Sequence, residues 1–136
     1  MYQPIRCIPS LVHHLSAPYV SDPFSIVSRY HGNDWKKMPI HHPLSLFRNE
    51  YMELVLWNWD KGRINNYNNN YSTVHTRVLE GLLHLSHTPN KYETTSLKNS
   101  LIRAGQSHTF HPFSKASLFA KEKTTTIQLY YYQNMY

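Results

Sequence analysis

Ten histidines, a single cysteine and an asparagine tract are the residues whose chemistry matters first in this sequence. The tract lies in Gly62-Arg-Ile-Asn-Asn-Tyr-Asn-Asn-Asn-Tyr-Ser-Thr-Val74 and puts five asparagines among the six residues from Asn65 to Asn70. Asparagine tolerates turn conformations and bonds its own backbone, so the tract reads as an exposed, permissive loop. Eight of the histidines fall in close sets: His13 with His14, His41 with His42, His84 with His87, and His108 with His111. Imidazole is a good ligand for zinc and iron, but spacing alone makes no zinc site here. Adjacent histidines, or histidines three apart on a strand, converge poorly on one ion, and no cysteine completes a tetrahedral set.

These residues must be positioned by a fold, and the totals bound what that fold is. The chain has 136 residues, 40% hydrophobic and 14% aromatic, enough for one domain with one packed core. Cys7 has no partner in the chain, so the fold rests on packing, and a reducing, cytoplasmic setting is expected. The N-terminal stretch is interrupted by Pro4, Pro9, His13, His14 and Pro18, so it lacks the apolar run of a signal peptide, and no segment approaches a membrane span. Residues 1–21 read as an irregular arm and residues 22–136 as one domain. The net charge of +6 invites a nucleic-acid role. However, the fourteen basic residues are scattered, with Lys121 and Lys123 the densest pair, so a solvated basic surface is expected instead.

One short helix is expected from Asp22 to Tyr30. Asp22 can cap it, Pro23 suits its first turn, Phe24, Val27 and Tyr30 share a face, and Gly32 ends it. From Tyr51 onward the segments YMELVLWNW, TVHTRVLEG, LLHLSH, SLIRAG, ASLFA and TTTIQLYYY are short, aromatic or β-branched, and separated by turn residues. That is an all-β pattern, with a sandwich, jelly roll or small barrel as its natural architecture.

The order DWKK (Asp34 to Lys37), LFRNEY (Leu46 to Tyr51), ELVLWNW (Glu53 to Trp59), RVLEGLL (Arg77 to Leu83), GQSHTFHP (Gly105 to Pro112) and ASLF (Ala116 to Phe119) resembles the cysteine dioxygenase family of the cupin superfamily, over most of the chain. The closing KTTTIQLYYY is similar to that family's last strand, after a shortened loop. The resemblance implies a mainly β fold, a cupin-type antiparallel sandwich or jelly-roll barrel, here with one short N-terminal helix. It also implies an iron held by three histidines.

On that resemblance the asparagine tract falls on the first cupin motif. Gly62 is followed by five residues, Asn68-Asn-Asn70, three residues, Val74, six residues and Gly81. Alternate strand residues share a face, so the histidine pair of the family converges on one metal. Asn68 and Asn70 retain the convergence but offer amide oxygens, poor donors for Fe(II). A register one residue earlier puts Tyr67 and Asn69 there and restores nothing. His108 matches the third ligand, as the sole one retained, and Pro112 replaces an asparagine. Val74, Lys121 and Phe119 stand at the family's cysteine, its tyrosine and its active-site histidine. Arg48 matches the substrate-carboxylate arginine, and Leu46 replaces a companion tyrosine.

The expected function is therefore a catalytically degenerate, cysteine-dioxygenase-like cupin, a pseudoenzyme acting as a binding or regulatory module. No cofactor is expected, and a small carboxylate or amino acid is the expected ligand. The alternative is a divergent iron-dependent thiol dioxygenase that oxidises cysteine to cysteine sulfinate. A nucleic-acid binder stacking bases on the eleven tyrosines has no recognisable module behind it. Met52, Leu54, Leu56, Val74, Val78 and Leu118 are expected in the barrel interior, with Arg48 projecting into it. Asn68, Asn70 and His108 are expected to meet at its mouth.

Overall fold

Segments rich in β-branched and aromatic residues pair wherever alternate side chains can be buried, and nine strands form in this way among the described residues. The computed structural model describes residues 3–17, 22–38, 43–67, 72–88, 98–110 and 115–132. The strands are β1 (Leu44–Arg48), β2 (Met52–Trp59), β3 (Ile64–Tyr67), β4 (Ser72–Glu80), β5 (Leu82–Thr88), β6 (Lys98–Arg103), β7 (Ser107–Phe110), β8 (Lys115–Ala120) and β9 (Thr124–Tyr132). One sheet has the order β1-β2-β9-β4-β7 and the other β3-β8-β5-β6. Every pairing is antiparallel. Trp59, Val74, Val78 and Phe110 from the first sheet and Leu83, Leu85, Ile102 and Leu118 from the second form one buried cluster. The two sheets therefore face each other across a shared core, as a jelly-roll sandwich requires.

The turns have the residues they need. Gly62 and Gly81, which bound the motif frame, both have positive φ, 90° and 102°. A Cβ on Gly81 would also lie 2.6 Å from the Lys123 carbonyl oxygen, so a side chain is excluded twice over.

The expected helix is present as α2 (Pro23–Ser28), where Asp22 Oδ1 accepts the Ser25 N–H at 3.2 Å and Pro23 occupies the first turn. Tyr30 lies beyond its end and is completely buried. The N-terminal arm, in contrast, is not irregular. Residues Ile8–Leu15 form α1, with Pro9 in the first turn, where its missing N–H costs nothing. Ile8, Leu11 and Leu15 recur at helical spacing and are buried. The cap is supplied from elsewhere in the chain. Asp34 Oδ2 accepts the Ile8 N–H and Asp34 Oδ1 accepts the Tyr30 hydroxyl, both at 2.6 Å. Burial and this hydrogen bond to Asp34 hold the Tyr30 phenol well above its ordinary pKa. Backbone bonds from Ile5 N–H to the Arg29 carbonyl and from His31 N–H to the Ile5 carbonyl, both 2.8 Å, bind the arm further to the chain after α2. No helix among the described residues is long and apolar enough to cross a membrane.

All six expected interior residues are buried, but they divide between two cores. Val74, Val78 and Leu118 lie between the sheets. Met52, Leu54 and Leu56 pack with Ile8, Leu11, Leu15, Val27 and Tyr30 on the opposite face of the five-stranded sheet, under the helices. Alternation shows which residues of β2 share a face. It does not show which face looks into the barrel when a helical layer buries the other one too.

Candidate functional site

The barrel-facing side of the five-stranded sheet is unusually polar. Thr76 on β4, and Thr126 and Gln128 on β9, are completely buried there. The Tyr130 hydroxyl donates to Gln128 Oε1 at 2.7 Å, and Gln128 Nε2 donates to Thr126 Oγ1 at 3.4 Å. The same Thr126 oxygen accepts the Trp59 indole N–H at 2.9 Å. Register places Gln128 opposite Thr76, and Thr76 opposite His108. Three polar side chains thus form one row across β9, β4 and β7. Buried polar atoms are normally paired, yet the Thr76 hydroxyl has no hydrogen-bond partner among the described residues.

Beyond the Gln128 end of the row, at the barrel mouth beside β1 and β2, Pro43, Ser45, Glu53, Val55, Trp57 and Tyr130 line a cavity of about 310 Å3. That volume is at the lower end of small-molecule sites. Gln128 is joined to the cavity through the Tyr130 hydroxyl, and His108, at the other edge of the sheet, does not contribute to it. The Trp57 ring lies 4.9 Å from that of Trp59, and the Arg63 guanidinium stands 5.3 Å over it. Glu53 Oε1 accepts the Tyr132 hydroxyl at 3.3 Å; burial and the charge of Glu53 together raise the Tyr132 pKa.

His108 sits on the barrel face of β7, half-buried, with its ring 4.8 Å from that of Phe110. Asn68, Asn70, His41, His42, His111 and Pro112 lie outside the described residues. Arg48 does not enter the barrel. It ends β1, an edge strand among the described residues, opposite Glu53 and is exposed. Lys121 is exposed in the turn after β8, and Phe119 alternates with the buried Leu118 and Ala120, so neither faces the barrel interior. His84 pairs with Phe119 and shares its outward face. His13 and His14 lie on α1.

An Fe(II) site of the kind that the resemblance implies needs several convergent imidazoles or carboxylates. Among the described residues, the register of the five-stranded sheet sets Thr76, Gln128, Val74 and Phe110 around His108, a hydroxyl, an amide and two apolar side chains. Among the described residues no group of three histidines, cysteines, aspartates or glutamates is placed to hold a metal. The described donor set does not fit the iron.

Two further residues with strong electrostatics lie on the other face of the sheet. His75 is buried between β4 and α2, with Nε2 3.0 Å from the Ser28 hydroxyl and Nδ1 2.7 Å from the Thr109 hydroxyl. Burial, then the charge of Arg77, lowers its pKa to about 4. Arg77 is 95% buried, and burial lowers its pKa as well. In the sequence, Thr73, His75 and Arg77 alternate with Val74, Thr76 and Val78 as the polar face of a strand. That pattern ordinarily means solvent, which is why neither residue stood out.

No protein-family model matches the chain, and no curated protein matches it in sequence. Solved structures do match. BH2720 from Bacillus halodurans is similar with a TM-score of 0.62 at 10% identity, over 90% of this chain and 87% of that one. The cupin domain of Cnp3 from Schizosaccharomyces pombe gives 0.56 at 10% identity, over 67% and 64% of the two chains. A cupin-2 domain-containing protein from Shewanella frigidimarina gives 0.53 at 13% identity, over 68% and 81%. The fold is a cupin jelly roll. At such identities the likeness carries the architecture and not the chemistry.

Proposed function

We propose that this chain is a cupin-fold binding or regulatory module that takes a small carboxylate or amino acid at the barrel mouth and has lost the iron chemistry of cysteine dioxygenases. The observation that carries this reading is the barrel-facing row of Gln128, Thr76 and His108, which keeps polar groups in the interior but supplies one imidazole where the family uses three. At the mouth the hydroxyls of Ser45 and Tyr130, the latter oriented by its bond to Gln128, can hold a polar ligand without a metal, and Val55 and Trp57 offer it apolar surface. The competing reading, a divergent thiol dioxygenase, is favoured by the position of His108 alone.

The metal content of the purified protein, assayed together with sulfinate formation from cysteine, separates the two. Substoichiometric iron without product supports the module, and near-stoichiometric iron with sulfinate overturns it. Ligand binding is read from tryptophan fluorescence during titration with cysteine and succinate. Saturable quenching is expected in the native chain and a loss of that quenching in Trp57→Phe.

A further inference from the structure

On the side of the five-stranded sheet away from the barrel, Arg77 is a buried cation held entirely by uncharged groups. Its Nε–H donates to the Tyr30 carbonyl at 3.1 Å. Nη1 donates to the Gly105 carbonyl at 3.0 Å and to the Ser107 hydroxyl at 3.4 Å. Nη2 reaches His31 Nε2 at 3.2 Å. His31 Nδ1 lies 2.9 Å from the Arg29 carbonyl, so it is the N–H donor of the ring and leaves Nε2 to accept from Arg77. No carboxylate of the described residues comes within ion-pair reach of the guanidinium. Asp34, nearby in the chain, has both oxygens engaged by Ile8 N–H and the Tyr30 hydroxyl. A buried charge without an opposite charge is expensive.

Arg77 borders a cavity of about 390 Å3 that is also lined by His31, Gly32, Lys36, Glu80 and Gly105. His31 borders a second cavity, of about 470 Å3, together with Arg6 and Arg29. Among the described residues, Arg77 and Lys36 line the first cavity with Glu80, and Arg6 and Arg29 line the second. Glu80 is exposed and makes no ion pair with Arg77. The positive charge that the sequence scatters from residue 6 to residue 77 is gathered here by the fold.

We infer that the cleft between Arg77, His31 and Lys36 is a site for a small oxyanion, a phosphate or a carboxylate group. Arg77 supplies the buried charge at its floor, and its Tyr30 and Gly105 bonds fix the plane of the guanidinium. The exposed His31 is the movable partner. When its ring swings outward, Nη2 is released to donate to an oxygen of the anion, and Lys36 closes the site from the solvent side. Neutral acceptors that hold Arg77 in place are an advantage for such a site, since a resident carboxylate would compete with the ligand. This site is separate from the barrel mouth and does not depend on what binds there.

The test is a two-dimensional amide NMR titration of the full chain, at constant ionic strength, with inorganic phosphate in one arm and succinate in the other. Saturable shifts confined to Gly32, Ala104 and Gly105, with the Trp57 indole N–H unmoved, are expected. The exposed Lys36→Glu substitution should weaken the response by roughly tenfold or more, because it places a like charge beside the anion. Whichever arm saturates at the lower concentration identifies the source of the oxyanion. Arg77→Lys should also weaken binding, since an ammonium cannot present the fork. Its native-like spectrum, or its failure to fold, leaves the Lys36→Glu result decisive. The inference is overturned if neither anion gives saturable shifts up to about 50 mM, beyond the range of a weak specific site. It is equally overturned if Lys36→Glu responds as the native chain does, or if the shifts centre on Trp57.

Discussion

The two faces of the five-stranded sheet are built from the same strands and put to opposite uses. Under α1 and α2, Met52, Leu54, Leu56, Ile127 and Leu129 meet Leu11, Leu15, Val27 and Tyr30 in an apolar cluster, with His75 and Arg77 hydrogen-bonded beside it and the face opening along Arg77. The face toward the second sheet holds an apolar floor as well, but it interleaves Thr76, Thr126 and Gln128 with it and opens at Trp57 and Tyr130. Buried polar groups weaken a core unless they are satisfied, so a chain that needed only stability would place them on neither face. The helix-covered side gathers its polar groups at one margin, around Arg77, whereas the barrel side sets them in a row through its centre.

The largest effect that could break this contrast is on α1. Leu11→Ala should lower stability by about 3 kcal/mol or more in urea unfolding, as for other fully buried leucines. A loss below about 1 kcal/mol, the scale of surface changes, would show that the helical layer is dispensable. Next comes the pH dependence of His75. Its imidazole is neutral in the fold, with the pKa lowered from 6.5 to about 4, so the unfolded chain binds the proton more readily. Stability from this residue is therefore complete above about pH 6.5 and falls as the pH is lowered to about 4, by about 3 kcal/mol in all. The slope of unfolding free energy over that window should flatten in His75→Gln, and an unchanged slope would assign it to other groups.

A smaller effect is expected at Asp34, which ties α1 to Tyr30. Asp34→Asn replaces one acceptor oxygen by a donor and should cost about 1–2 kcal/mol, read from the denaturation midpoint. The smallest belongs to the barrel side. Tyr130→Phe removes the hydroxyl that bonds Gln128 and should cost only about 1 kcal/mol, while weakening ligand-induced fluorescence changes at the mouth. A penalty as large as that of Leu11→Ala would mean that the polar row supports the fold rather than a ligand.

Much of the architecture is determined locally. Alternation in ELVLWNW and TTTIQLYYY dictates strands, Asp22 and Pro23 dictate where α2 begins, and the positive-φ glycines at 62, 81 and 105 dictate turns, because each follows from sterics and hydrogen bonding within a few residues. The place of His108 at the barrel followed from the resemblance and not from local pattern, because the four residues Ser107–Phe110 are too few to stand out as a strand by alternation. What only the tertiary structure decided is which surface each face meets. Residues 1–21 read as an irregular arm, but Asp34, nineteen residues beyond Leu15, caps α1 and the sheet offers it an apolar seat. Arg48 read as an interior residue, but β1 is an edge strand among the described residues and leaves it in solvent. His75 and Arg77 lie on a polar strand face of the kind that ordinarily meets solvent, but α2 and the Tyr30 to His31 segment after it cover them. Burial, and with it the charge and reactivity of a titratable group, depends on long-range packing that alternation along one strand does not encode.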